Sequence, residues 1–347
     1  MLMQSATMLR TRPRVISLWL FAVAALVIAM IMVGGITRLT DSGLSITAWK
    51  PISGTLPPMT DAAWQAEFDA YKKIPEYQQI NAGMTMAGFK AIFFWEYVHR
   101  LLGRVIGLAY ALPLLYFAVR RQIPRGYGWR LSALLALGGL QGAIGWWMVA
   151  SGLSVRTDVS HVRLAVHLST ALVLLGGLIW TALDLRALSM LPVARPARLT
   201  GVAAVAIGLL AVQTIFGAFT AGLDAGYAFS SWPLMGDAVF PANTPMVDPA
   251  WRNAVDNPIV VQFIHRWFAF AAAAGLGVLA WQVIRRGGTR LGNAIIALVT
   301  LQIILGIATL MTGVAIEIAV AHQVNAALLL IATVVAAHSL GQRAAAA

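Results

Sequence analysis

Apolar runs of about twenty residues recur along the chain, most separated by short polar stretches and two by long ones. They fall at 15–36, 101–119, 131–150, 163–183, 201–221, 265–284, 291–312 and 317–338. At 1.5 Å per residue, a helix of that length crosses a hydrocarbon layer roughly 30 Å thick. The pattern therefore predicts eight transmembrane helices. The first run is too long for a signal-peptide core and lacks an Ala-x-Ala cleavage site, so it is expected to stay as an anchor. Composition agrees: the 347 residues are 59% hydrophobic and only 11% charged, as in an all-α polytopic membrane protein.

Charge adds orientation. A net charge of +12 could point to nucleic acid, but its placement does not. Arg10, Arg12 and Arg14 precede the first run, and Arg120, Arg121, Arg125 and Arg130 join the second and third. Arg186, Arg195 and Arg198 join the fourth and fifth, Arg285, Arg286 and Arg290 the sixth and seventh, and Arg343 follows the last. The opposite loops hold all four lysines and most of the acids. By the positive-inside rule the arginine side is cytoplasmic. The expectation is a bacterial inner-membrane protein with both termini in the cytoplasm, the bilayer as partner and no nucleic acid. The chain has no cysteine, which excludes disulfides, iron–sulfur clusters, thiolate-ligated haem and covalently attached haem.

Four histidines then stand out. His99, His167, His265 and His322 each open an apolar run, and each has a small residue four positions on: Gly103, Ala171, Ala269 and Ala326. About twenty residues later come Arg120, Arg186, Arg285 and Arg343. The four imidazoles are thus expected in one layer near the outer face, each beside a small neighbour on its own helix face. Ionisable groups inside a membrane are costly, so four at one depth call for a reason. Two bis-imidazole haem sites are the chemistry that fits. His161 is expected in a loop, and His338 at the cytoplasmic end without a partner at its depth.

The sequence also repeats. Gly34, Thr37, Asp41 and Gly43 match Gly217, Thr220, Asp224 and Gly226 as G-x-x-T-x-x-x-D-x-G. The stretch Glu96-Tyr97-Val98-His99-Arg100 matches Gln262-Phe263-Ile264-His265-Arg266. Leu140-Gln141 with Gly145 matches Leu301-Gln302 with Gly306. The reading is two tandem pseudo-symmetric four-helix bundles, each with one histidine pair. Residues 1–14 form a cytoplasmic tail, 15–185 the first unit with an outer loop at 38–98, and 186–200 a cytoplasmic linker. Residues 201–340 form the second unit with an outer loop at 222–262, and 341–347 the C-terminal tail. The two long outer loops, rich in aromatic residues and proline, are expected to act as lids.

The motifs resemble haem A synthases. They include Asp41-Ser42-Gly43-Leu44-Ser45, Trp49-Lys50-Pro51, Pro57-Pro58, Pro75-Glu76-Tyr77 and Glu96-Tyr97-Val98-His99-Arg100. The second half adds Gly222-Leu223-Asp224-Ala225-Gly226, Trp232-Pro233-Leu234-Met235, Val261-Gln262-Phe263-Ile264-His265-Arg266 and Ala321-His322-Gln323. The likeness runs over about residues 15–335 and falls in the cysteine-free branch known from alphaproteobacteria and mitochondria. It implies two successive hydroxylations that turn the C8 methyl of haem O into the formyl group of haem A for cytochrome oxidase. It also implies that His99 and His167 ligate the iron of the substrate haem O, and His265 and His322 that of a b-type haem. A haem O synthase and an electron carrier are the partners such a pathway implies.

Glu96 is the expected catalytic residue. It lies one turn from His99, and Gln262 replaces it in the copy, so only the first half has an ionisable group beside its histidine. A carboxylate there can take a proton or stabilise developing positive charge. The competing reading is a di-haem b-type cytochrome that only relays electrons, for example from quinol; it predicts two equivalent sites. Arg38, Arg100, Arg104, Arg163 and Arg266, near the outer boundary, suit haem propionates and lipid headgroups equally.

Overall fold

A computed structural model describes residues 11–342. Arg10, Arg343 and most of both expected tails lie outside them. The eight membrane helices are α1 (Pro13–Leu39), α2 (Met86–Val119), α3 (Gly128–Val149), α4 (His161–Met190), α5 (Gly201–Gly222), α6 (Pro258–Arg285), α7 (Thr289–Met311) and α8 (Ile316–Gly341). All are long and apolar enough to cross a bilayer, as the hydropathy pattern requires.

One boundary moves far from its expected place. Helix α2 starts at Met86, not near residue 101, and runs for 34 residues, roughly 50 Å of helix. Thr85 caps it by accepting from the Gly88 N–H. Lys90, Glu96 and Arg100 hid this extension from hydropathy. What holds it is an apolar stripe: Phe89 and Phe93 pack with Leu44, Phe68, Tyr71, Ile74 and Val159 in a small core outside the membrane helices. The first outer loop is therefore folded, with its own helices at Asp61–Tyr71 and Pro75–Gln79.

Two membrane cores form, one mainly among α1–α4 and one among α5–α8. They meet along α8, whose Ala327 and Val334 sit in the first core. Hydrogen bonds pin this seam. On the arginine-rich side the Asp184 carboxylate, 2% exposed, accepts from Arg130 at 2.7 Å and from the Ala197 N–H at 2.9 Å. His338 lies 2.9 Å from Asp184, which overturns the expectation that it has no partner at its depth. The Arg198 N–H donates to the Gly341 carbonyl, and Arg12 to that of Gln122, so the short linkers gather at this end. In the middle, Gln323 donates to the Ile31 carbonyl of α1 at 2.7 Å. At the end away from the arginine-rich linkers Arg38 bridges Asp41 and Asp224, the two aspartates of the repeated motif, at 3.1 and 2.8 Å. Both aspartates have positive φ, 48° and 52°, where each motif turns out of its helix. His161, expected in a loop, is the first residue of α4. It is buried against Gly222, with Nε2 3.2 Å from Asp256, because α4 and α5 approach closely there.

Candidate functional site

Each of the four histidines sits several residues inside its helix, in the half of the bundle away from the arginine-rich linkers. His99 lies within electrostatic reach of His167, and His265 of His322, so each core has one pair. On the neighbouring helix a glycine makes room for each imidazole ring. A Cβ on Gly145 would stand 3.0 Å from His167 Cε1; one on Gly217 would meet His265, and one on Gly306 His322, at the same distance. Gly34 faces His99 in the same way, but at 3.3 Å from Nε2.

A second feature recurs with three of the histidines. Gln141 Nε2 lies 3.1 Å from His167 Nδ1 and donates to the His167 carbonyl at 2.8 Å. Gln213 does the same for His265, at 3.1 and 3.0 Å. Gln302 does so for His322, at 3.2 and 3.1 Å, and is 3.3 Å from its Nε2. An amide Nε2 can only donate, so in each of these contacts the histidine Nδ1 is the acceptor. The sequence signal is Q-x-x-x-G in α3, α5 and α7. The repeat comparison touched Gln141 and Gln302 without giving them a task, and missed Gln213.

These sites fit a haem better than a bare ion. Among the described residues no group of three or more His, Asp or Glu could hold a metal. A porphyrin brings four nitrogens of its own and asks the protein only for two axial imidazoles and room for a flat ring. The paired imidazoles offer the two axial ligands, and the glycines on the neighbouring helices leave room for the imidazole rings.

Glu96 is 2% exposed and saturated with donors. Ser45 Oγ and the Ile46 N–H donate to Oε2 at 2.7 and 2.6 Å. Arg100 donates to Oε1 through Nη2 at 2.6 Å and Nε at 3.1 Å, and to the carbonyls of Ile46 and Ala48. The pair clamps the first outer loop onto α2. In the second half Gln262 donates to the carbonyls of Ala225 and Phe229, while Arg266 donates to Gln262 Oε1 and to the carbonyls of Phe229, Ser231 and Leu234. The two clamps are alike except at the acid. Arg38, Arg104 and Arg163 are also committed to protein partners, Arg104 to the carbonyls of Lys50 and Pro51 and Arg163 to that of Trp147.

In the outer loop over the first pair, Glu76 is buried with Oε2 unpartnered. Burial pushes its carboxyl up to about 8, with help from the negative neighbours Asp41, Asp158 and Glu96.

Comparison with known proteins gives the context. A family model described as "COX15-CtaA: Cytochrome oxidase assembly protein" matches residues 17–334. A protein named heme A synthase from Sphingopyxis alaskensis is 55% identical over 341 residues, covering 98% of this chain and 96% of its own. Namesakes from Rhizorhabdus wittichii and Novosphingobium aromaticivorans are 56% and 51% identical, each covering 94% or more of this chain and 95% of their own. Histidine pairs in glycine cradles and a match across nearly the whole length lead to one conclusion: the chain belongs to the COX15-CtaA family of haem A synthases.

Proposed function

We propose that the chain oxidises the C8 methyl group of haem O to the formyl group of haem A, with His99 and His167 holding the substrate and His265 and His322 a resident b-type haem. The observation that carries this is the pair of matched imidazole sites that differ in one ionisable residue, within a chain 55% identical to a named heme A synthase. The bound b-type haem supplies one-electron redox chemistry. The chain's own residues do the rest. His99 with His167 and His265 with His322 would supply the axial nitrogens of the two haems. The folded loop over the first pair keeps bulk water from the reacting edge. Both oxygens of Glu96 already accept hydrogen bonds and Oε1 is paired with Arg100, so the group serves better as a fixed polar element of the first site that holds Arg100 and the loop in place than as a free proton acceptor. An electron relay would use two like sites, and Glu96 against Gln262 speaks against it.

Pigment analysis tests the reading. Membranes of a host that makes haem O should gain haem A or hydroxylated haem O when this chain is expressed. Purified His265→Ala or His322→Ala should lose the resident low-spin spectrum. A host that gains no oxidised haem, or a double variant with a full bis-imidazole spectrum, would sink it.

A further inference from the structure

Three carboxyl groups are buried among the described residues: Glu76, Glu96 and Asp184. Two of them are matched by donors. Ser45, the Ile46 N–H and Arg100 serve Glu96, and Arg130 and the Ala197 N–H serve Asp184. Glu76 is different. It is 4% exposed, its Oε2 receives no hydrogen bond, and among the described residues no cation pairs with it. Burying an unpaired charge is costly, so such a group keeps its proton.

Its surroundings come from four elements. Tyr71 closes the helix Asp61–Tyr71 and brings its hydroxyl within hydrogen-bond reach of the carboxyl. That hydroxyl accepts from Asn81 Nδ2 at 2.8 Å, which leaves its own proton free to donate to Glu76. Asp41 follows α1, Asp158 precedes α4 and Glu96 lies on α2, and all three are within electrostatic reach of Glu76. Burial first, and then these three acids, raise the carboxyl to about 8, while the Tyr71 O–H pulls the other way by supporting the ionised form.

The placement is particular to the first unit. Tyr71 and Tyr77, on either side of Glu76, pack into the loop core with Phe89 and Phe93, which stand about two turns and one turn before Glu96 on α2. None of the acids in the second outer loop, Asp224, Asp237, Asp248 and Asp256, is buried. The unit read as converting its haem thus has a buried acid without a partner, and the unit read as keeping its haem has none.

We infer that Glu76 exchanges protons for the first site: its O–H bond breaks and re-forms as charge at that site changes during methyl oxidation, and no electron moves at Glu76. This rests on the reading of His99 and His167 as the substrate site. Oxidising a methyl carbon moves protons as well as electrons, and the four donors on Glu96 already fill its acceptor sites. Tyr71 is a positioning residue for the ionised carboxylate. The N–H groups of Ile80 and Asn81 both donate to the Glu76 carbonyl, and Ile80 is exposed, so the turn puts solvent close to the acid.

The test uses the full-length protein with its resident haem and measures haem O oxidation between about pH 6 and 9. In wild type the rate should fall as pH rises through about 8. Glu76→Gln, which mimics the protonated acid but cannot release a proton, should lower kcat about tenfold or more at neutral pH, leave the KM for haem O unchanged and remove the fall. Glu76→Asp should recover most of the rate. Tyr71→Phe should move the fall to higher pH, because the carboxylate loses a donor. Infrared difference spectra should show a carboxylic-acid C=O band that disappears as pH rises in wild type and is missing in Glu76→Gln. Wild-type rates in Glu76→Gln, or rates above wild type at high pH, would mean that the acid only sets loop stability and would overturn the inference. Equal losses in Glu76→Gln and Glu76→Asp would overturn it too. Should Glu76→Gln not fold, an unmoved midpoint in Tyr71→Phe or a wild type without the infrared band decides against it. If wild type oxidises no haem O, or if His99→Ala leaves haem O uptake unchanged, the reading of the first site falls and the inference with it.

Discussion

At the scale of single residues, Glu96 is the sharpest case. From sequence, Gln at 96 looks like a mild change that removes a charge and keeps size and hydrogen bonding. The structure corrects this. Oε2 receives the Ile46 N–H and the Ser45 hydroxyl, while Oε1 receives two guanidinium N–H groups. Whichever way a glutamine amide turns, its NH2 meets a donor. The second half avoids the conflict by offering carbonyls of Ala225 and Phe229 instead. Glu96→Gln should abolish most methyl oxidation and also loosen residues 45–48, at about 1–3 kcal/mol for the orphaned donor. Extracted haems should show haem O or a hydroxylated intermediate, and proteolysis near residue 46 should speed up; normal haem A yield and an intact loop would contradict the role. The glycines give a cleaner contrast. Gly306→Ala puts a Cβ 3.0 Å from His322 Cε1 and should lower the haem-to-protein ratio, whereas Gly138→Ala meets nothing within 4 Å. In a helix interior Ala otherwise gains about 1 kcal/mol over Gly, so Gly138→Ala should leave haem content unchanged and stability equal or higher. Equal haem loss in both would mean that the contact is irrelevant.

At the scale of elements, the first outer loop is where pH should act. An acid whose folded value is raised to about 8 from 4.5 binds its proton more tightly when the loop is folded. The stability this provides is complete below about pH 4.5 and is lost as pH rises towards 8, because the native loop must then either bury a charge or release Glu76. Limited proteolysis between Asp61 and Asn81 should therefore quicken over that range in wild type and stay flat in Glu76→Gln. Much of this element was invisible to the hydrophobic pattern. Eight apolar runs were legible because a bilayer demands about twenty apolar residues per span. The outward end of α2 was not, because it is amphipathic and is stabilised by Phe89 and Phe93 against a loop core outside the membrane helices. The four histidines were legible through spacing. Their glutamines were not, because each partner lies on another helix, 20 to 52 positions away in sequence. His338 failed for the same reason: Asp184 is 154 residues distant.

At the scale of the whole molecule, the arginine-rich linkers at 120–130, 186–200 and 285–290 gather at one end of the helices and the two long loops lie at the other. With the positive-inside rule, reporter fusions near residues 70 and 240 should read as periplasmic, and fusions near 125, 192 and 288 as cytoplasmic. A cytoplasmic signal from residue 70 would move both histidine pairs to the inner face. We further propose that the chain works as two four-helix units joined at 186–200, the first converting and the second retaining its haem. The seam between them runs along α8 where it packs on α1 and α4, with the buried Asp184–His338 contact at one end and the partly exposed Arg38–Asp224 pair at the other. Removing one partner of a buried ion pair costs about 3–5 kcal/mol, which applies to the buried Asp184 carboxylate, whereas the half-exposed Arg38–Asp224 pair is worth at most about 1 kcal/mol.

The bond from Gln323 to the Ile31 carbonyl has a consequence for how the molecule is made. Helix α1 leaves the ribosome long before α8, yet one of its carbonyls next to Met30 takes its partner from α8, and its neighbours in the first core include Ala327 and Val334 of α8. The first core is thus left unfinished until synthesis is almost complete. A nascent chain that stops short of α8 lacks both this hydrogen bond and part of the first apolar core, so the packing of the first four helices is completed only when the last helix arrives.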